Sequence, residues 1–259
     1  MEFLDKSRSV ISRTHSTSSA PAPALSPATI GATISCKAIV DDILHEEVAN
    51  PNTLRYVNAR DEGSLRKLAA ELVPSLGQRQ QALRGYISQA ESGSVQVSDK
   101  VKGLWGEKLD AITVILSVLE GAGKAPGELD EEGQANRIAF FKTAKQAWET
   151  NLLGVLTALS KEIVGPYTLG EIYIYIIGID ELKMFDTGDQ YSIADLHLAG
   201  WLARVAKLAG GTNSDDGPTI VKKLEAYIGS EFKGEKLSGF WDAVRERKSW
   251  QKVYGGGLI

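Results

Sequence analysis

Apolar positions recur three and four residues apart through most of the chain, which is the spacing of one face of an α-helix. Residues 29–48 form the first such segment, and Asn50-Pro51-Asn52 is predicted to end it. Residues 64–89 form the second, in which Pro74 is predicted to kink or split the helix. The same spacing predicts further helices over residues 101–119, 135–163, 192–208, 219–228 and 237–250. The pattern therefore predicts an all-α fold built as a helical bundle.

One segment breaks the helical pattern. Residues 172–177 read Ile-Tyr-Ile-Tyr-Ile-Ile, a run of β-branched and aromatic side chains that predicts a strand. We find no second strand segment that could pair with it, and a lone strand leaves its backbone groups unmatched. We therefore interpret this segment as part of an insertion into the helical fold.

The beginning of the chain has a different composition. Residues 16–27 are rich in serine, alanine and proline, which cannot bury enough apolar surface to become ordered. Residues 6–40 lack acidic side chains and loosely resemble a mitochondrial presequence, but Glu2, Asp5 and the sparse basic residues favour a plain linker. We therefore predict a disordered linker within residues 1–28 and a helical domain over residues 29–259.

Charge and cysteine content exclude several classes of function. The net charge is -4, and no basic stripe alternates with aromatic residues, so nucleic acid is not an expected partner. No apolar run reaches the length of a membrane span, so we expect no membrane association. Cys36 is the only cysteine, which excludes an intrachain disulfide and fits the reducing cytoplasm. His15, His45 and His197 lie far apart in sequence and show no metal-ligand spacing.

Four isolated features could carry chemistry, and each has a plainer interpretation. Cys36 could be a redox thiol, but a single helical cysteine is more often a small buried hydrophobic residue. Gly121-Ala122-Gly123-Lys124 has the wrong spacing for a phosphate-binding loop and is interpreted as a connection between helices. His45 is predicted on a solvated helix face, and His197 as a histidine satisfied within its helix.

The helix predicted from residue 192 begins with a capping box. The Ser192 hydroxyl can accept from the Asp195 amide, and the Asp195 carboxylate can accept from the Ser192 amide. Tyr191 can pack on Leu196 as a hydrophobic staple. The following residues carry little charge, so the helix is predicted to be buried nearly all round.

Two longer stretches resemble one known family. Residues 191–202, Tyr-Ser-Ile-Ala-Asp-Leu-His-Leu-Ala-Gly-Trp-Leu, resemble the helix-capping motif in the C-terminal domain of glutathione transferases. Residues 239–250, Gly-Phe-Trp-Asp-Ala-Val-Arg-Glu-Arg-Lys-Ser-Trp, are similar to that family's last helices. The resemblance covers about residues 29–259 and is greatest to the fungal branch. It implies a domain of the all-helical glutathione transferase C-terminal type.

The resemblance also implies a function. Members of this family conjugate glutathione, their co-substrate, to electrophilic small molecules, and the first two helices of the domain line the pocket for the apolar substrate. By that comparison, residues 33–47 are candidates for the pocket wall, and a homodimer is compatible with the family.

In the family, the thiol-activating residue and the glutathione ligands belong to a preceding thioredoxin-like domain. Met1-Glu2-Phe3-Leu4-Asp5 resembles the end of that domain's last helix. We therefore assign no catalytic, cofactor-binding or metal-binding residue and expect a truncated, inactive member. The alternative is a non-enzymatic helical module that binds a partner protein or an apolar ligand.

The insertion has two explanations at this stage. Removing residues 171–188 would join Gly170 to Asp189 and leave a turn that resembles the family's ordinary turn before the capping box. The removed segment can be encoded with intron-like ends, so it can be a translated intron, with Met1 an internal start. The alternative is a genuine loop insertion, since surface loops tolerate added length.

We expect deletion of residues 171–188 to raise the soluble yield more than it changes the helix content. The reason is that the apolar hexapeptide 172–177 suits β-aggregation, whereas a longer loop alone costs little. The measurement compares the soluble fraction and the circular dichroism of the full chain with those of the deletion variant. Equal soluble yields would contradict the prediction.

Overall fold

A computed structural model describes residue 25, residues 30–165, residues 167–168 and residues 192–258. All regular secondary structure in these ranges is helical, which confirms the predicted all-α class. Three parts of the predictions lie outside the described residues. They are the insertion at 171–188 with its strand, Tyr191 of the staple, and the linker within residues 1–28 apart from Leu25. Among the helices described, not one combines the length and the apolar character that a membrane span demands.

Contacts divide the chain into two compact units. The middle unit is Asn52–Ala147, and the split unit combines Met1–Pro51 with Trp148–Ile259. Helix α1 (Ile30–Ile39) opens the described helical part of the split unit, followed by a π-helical turn (Val40–Leu44) and a 3₁₀ turn (Glu47–Ala49). Helix α2 (Pro51–Tyr56) begins at Pro51, because proline suits the first helical position. Residues 50–52, which were predicted to end a helix, therefore also begin the next one.

The middle unit contains helices α3 (Glu62–Glu91), α4 (Asp99–Glu120) and α5 (Glu131–Lys145). The first two are the most extensively packed pair among the described helices. Helix α3 runs without interruption through Pro74, so the predicted option of a split was wrong. Its buried face supplies the reason, because packing of that face can offset the hydrogen bond that proline removes. That face consists of Leu65, Leu68, Leu72, Leu76 and Leu83.

A buried arginine organises the connection between α4 and α5. Arg137 is 4% exposed, and its Nη1 donates to Glu62 Oε2 at 2.9 Å and to the Lys124 carbonyl at 3.0 Å. Its Nη2 donates to the Gly121 carbonyl. The glycine-rich segment is therefore a connection between helices, as predicted. It turns carbonyl oxygens toward a cation, whereas a phosphate-binding loop presents amide groups.

After α5, the described residues form a π-helical turn (Gln146–Leu152) and helices α6 (Leu153–Glu162), α7 (Ile193–Leu208), α8 (Gly217–Ile228), α9 (Glu235–Arg245) and α10 (Lys248–Tyr254). The predicted helix 135–163 is thus interrupted by a π-helical turn. The predicted helix 237–250 is two helices, and Arg247 precedes the second with an extended backbone.

Tryptophans contribute to the split unit's core. Trp148 and Trp241 are at most 2% exposed. Trp241 Nε1 donates to the Asp215 carbonyl at 2.9 Å, and its ring meets Trp250 edge-on at 5.1 Å between centroids. Trp201 Nε1 donates to the Ala49 carbonyl at 2.6 Å, which ties α7 to the segment that follows α1. These indole groups therefore join helices as well as filling space.

Helices α8 and α9 approach closely at Gly217, which leads to a stability prediction. A Cβ atom there would overlap the backbone carbonyl of Ser238, and the Gly217 amide already donates to Asp242 Oδ1 at 2.8 Å. We expect Gly217→Ala to lower the free energy of unfolding by about 2 kcal/mol through overpacking. Urea unfolding followed by circular dichroism measures the change.

Gly239→Ala is the matched control for this substitution. Gly239 lies inside α9, and a Cβ there meets nothing within 4 Å. We expect its unfolding free energy to stay the same or rise by up to about 1 kcal/mol, because alanine favours helix interiors. Equal losses in the two variants would contradict the role of the close approach.

Candidate functional site

The start of α7 carries a closed network of polar side chains. Ser192 is the N-cap, and its Oγ accepts from the Asp195 amide at 3.3 Å. The Ser192 amide donates to Asp195 Oδ2 at 2.8 Å, and the Ser192 hydroxyl donates to the same oxygen at 2.6 Å. Both halves of the capping box are therefore present.

Thr168 completes this network from outside the helix. Its amide donates to Asp195 Oδ1 at 2.7 Å, and its hydroxyl lies 3.0 Å from Ser192 Oγ. Since the Ser192 proton is directed to Asp195, the Thr168 hydroxyl is the donor in the second contact. Thr168, Ser192 and Asp195 are 0%, 3% and 0% exposed. We call these three residues the cap network.

The free amides at the start of α7 are used within the protein. Besides the two amides of the capping box, the Ile193 amide donates to the Leu25 carbonyl at 3.0 Å. Both carboxylate oxygens of Asp195 accept hydrogen bonds. A buried carboxylate held this way is a structural group, because it has no exposed lone pair to offer a substrate.

The predicted staple beside the cap remains a prediction. Tyr191 is outside the residues described, and Leu196 is 40% exposed. Most of α7 is nevertheless buried, and the buried positions continue as far as Ala206.

Cys36 of α1 lies against the cap network. It is 3% exposed, and its thiol is in hydrogen-bonding contact with the Ser192 side chain and the Ala194 backbone. Burial raises the pKa of this thiol, and the negative charge of Asp195 adds to the rise, while the two hydrogen bonds oppose it. A protonated, buried thiol is a weak nucleophile. The prediction that Cys36 is a small buried residue is confirmed.

Two histidines of the split unit, His45 and His197, are in contact. His45 Nε2 lies 3.3 Å from His197 Nδ1, with ring centroids 5.1 Å apart and planes at 67°. Asp41 Oδ1 is 3.8 Å from His45 Nδ1. His45 is exposed as predicted, but its contact with His197 was missed. The two residues are 152 positions apart, so no sequence spacing could have indicated the contact.

The environment of His197 favours the neutral ring. Burial lowers the pKa of His197, and the neighbouring charge of His45 lowers it further, while Asp41 acts in the opposite direction. His197 is half-buried and His45 is exposed. The pair therefore joins one shielded imidazole to one that solvent can reach.

The span proposed to line a substrate pocket, residues 33–47, contains both buried and exposed positions. Cys36, Ile39, Val40 and Leu44 are buried in it. Ile34 is 63% exposed and is the large apolar residue of this span that solvent reaches most. In the described ranges, no group of three or more His, Cys, Asp or Glu side chains is arranged to hold a metal ion.

Comparisons of the chain with models of protein families, with curated proteins and with solved structures found no match. What the geometry defines is an all-α protein with a buried, internally saturated helix start and an adjacent histidine pair.

We expect Ser192→Ala to lower the free energy of unfolding by about 2 kcal/mol. The substitution removes the cap acceptor and leaves buried donors without their partner. It should also speed the reaction of Cys36 with a thiol reagent under native conditions, because the start of α7 opens more often. Urea unfolding and the kinetics of thiol labelling measure these two effects.

Ser98→Ala is the control for the cap substitution. Ser98 caps α4 with the same chemistry, its Oγ lying 3.4 Å from the Val101 amide, but it is exposed to solvent. Water can replace the lost acceptor there, so we expect a loss of about 0.5 kcal/mol and unchanged labelling of Cys36. Similar losses at the two caps would show that burial of the network adds nothing.

Proposed function

We propose that this chain is a glutathione transferase-like protein whose described helices bind an apolar substrate without activating glutathione themselves. The observation that carries the proposal is the cap network. It gives a complete physical role to the residues on which the family resemblance rests, since Ser192 and Asp195 hold a buried helix end. The family's reaction is the addition of a glutathione thiolate to an electrophile.

Two groups at the start of α7 that could activate a thiol, the Ser192 hydroxyl and the Cys36 thiol, are committed elsewhere. Thiolate chemistry needs a hydroxyl donor, a reactive cysteine or a nearby positive charge. The Ser192 hydroxyl proton is directed to Asp195 Oδ2. Cys36 is buried with a raised thiol pKa. These contacts support the part of the proposal that expects little or no transferase activity from these helices.

Apolar surface on α1 supports a role in substrate binding. Ile30 and Ile34 are 82% and 63% exposed. They are four residues apart, so they lie on one face of the helix. Ile34 belongs to the span that the family resemblance indicates as pocket wall. An apolar electrophile, or the apolar part of a glutathione conjugate, has the chemistry to cover such a face.

The same exposed face favours a second candidate function. A non-enzymatic helical module would use Ile30 and Ile34 to bind a partner protein, because exposed apolar patches commonly mark such surfaces. A second copy of the chain is one partner of this kind, in line with the homodimer expected from the family. A cytoplasmic location is also part of the proposal and is supported by the free, buried Cys36 thiol.

Binding and turnover measured on the same purified chain test the proposed function. A chloronitrobenzene electrophile and an alkyl glutathione conjugate are each titrated while tryptophan fluorescence is followed, and conjugation of glutathione is followed by absorbance. We expect saturable binding of both compounds and no conjugation above the uncatalysed rate. We also expect no retention on immobilised glutathione alone.

Two exposed isoleucines provide matched variants for this test. Ile34→Ser should weaken binding, whereas Ile138→Ser, at a 69% exposed position in the middle unit, should leave it unchanged. Measurable conjugation would contradict the expected inactivity. Absence of binding for both compounds would contradict the transferase-like proposal and favour the partner-binding module.

A further inference from the structure

The spacing of the two imidazoles matches that of two ligands on one metal ion. Zinc–nitrogen bonds are roughly 2.0–2.1 Å long, so two nitrogens on a tetrahedral ion lie about 3.3 Å apart and their ring centres about 5.2 Å apart. The observed separations are 3.3 Å between His45 Nε2 and His197 Nδ1 and 5.1 Å between the ring centroids. Both distances fit a cation held between the rings.

Without an ion, the two rings form one hydrogen bond with each other, and a bound cation would replace it. The nitrogen–nitrogen distance of 3.3 Å suits either arrangement. A straight N–H···N bond of the observed length would place the ring centres roughly 5.6 Å apart, with N–H directed at the acceptor. The observed centroid distance of 5.1 Å is shorter, so at least one ring is tilted away from the N–N line.

A carboxylate lies beside the exposed ring of the pair. Asp41 Oδ1 lies 3.8 Å from His45 Nδ1, which places a negative charge beside this ring without a direct hydrogen bond. The other ring nitrogen, His45 Nε2, faces His197. Asp41 thus stands where carboxylates commonly orient metal-binding histidines.

The two ligands are carried by elements that are already tied together. The His45 amide donates to the Val40 carbonyl at 3.0 Å and so ends the π-helical turn. The Trp201 indole, one helical turn beyond His197, donates to the Ala49 carbonyl at 2.6 Å. The cap network fixes the start of α7. The imidazoles are therefore held near one another before a ligand binds, which reduces the entropy cost of binding.

We propose that His45 and His197 form a binding site for one divalent transition-metal ion of the zinc and copper class. The ion is held by His45 Nε2 and His197 Nδ1, Asp41 orients His45, and water completes the coordination on the exposed side of His45. Imidazole nitrogen is a ligand that Zn²⁺ and Cu²⁺ both accept. When bound, the ion cross-links the segment after α1 to α7. This site is independent of the proposed transferase-like function.

Titration of the full, metal-stripped chain with zinc chloride tests the site, with calorimetry and thermal unfolding as readouts. We expect one equivalent of Zn²⁺ to bind and to raise the unfolding temperature, because the ion binds the folded state. With copper sulfate, electron paramagnetic resonance should show two nitrogen ligands on a single Cu²⁺. Chelation with EDTA should reverse the stabilisation.

Four variants test whether the ion binds at this pair. His45→Gln and His197→Gln should each weaken binding at least tenfold, whereas His15→Gln, the remaining histidine of the chain, should leave it unchanged. Asp41→Asn should weaken Zn²⁺ binding by roughly tenfold through the orientation of His45. If His197→Gln destabilises the fold, the Zn²⁺ affinity of His45→Gln is the deciding measurement, because His45 is exposed.

Two results would overturn the site. Absence of saturable Zn²⁺ and Cu²⁺ binding by the unmodified chain would contradict it directly. Equal binding by the unmodified chain and the His45→Gln variant would place the ion elsewhere. Neither result would bear on the binding of an apolar electrophile, so failure here is distinguishable from failure of the proposed function.

Discussion

The interaction on which the rest of the split unit depends is the buried carboxylate of Asp195. A fully buried carboxylate is costly unless its oxygens accept hydrogen bonds. Here the donors come from two separate parts of the chain, since the Thr168 amide serves one oxygen and the amide and hydroxyl of Ser192 serve the other. Losing either set would leave one carboxylate oxygen buried without a donor. The segment near Thr168 and the start of α7 must therefore be ordered together.

Fixing the start of α7 has consequences along the whole helix. Cys36 of α1 packs against the cap network, and Trp201 bonds to Ala49 about two turns further along. Helix α7 is therefore held to the α1 segment at both places, with His197 between them. His197 consequently meets His45 at a defined distance, although neither residue takes part in the cap. A structural device at the helix end thus determines the geometry of a second, chemically different cluster.

The parts of this arrangement differ in how far the sequence predicts them. The Ser192–Asp195 box is local, because the partners are three residues apart, so the residue types and their spacing are enough to predict it. Thr168 and the His45–His197 contact depend on which helices pack together, and no single-sequence pattern encodes that. Pro74 shows the reverse case, because its local preference for a break is overridden by the apolar face of α3. The separation of α9 from α10 has no proline or glycine at its boundary, so the pattern could not reveal it.

The two polar clusters of α7 differ in what they can still bind. In the cap network, the carboxylate oxygens and the Ser192 proton are all used within the protein, and all three side chains are buried. A ligand would have to break these bonds before forming its own. In the histidine pair, one ring is open to solvent and the nitrogens face each other at a distance longer than their best hydrogen bond. A cation there would gain two ligands in exchange for the single hydrogen bond between the rings. Retaining the cap therefore maintains the fold, whereas the histidine pair offers a cation two nitrogens at an exposed position.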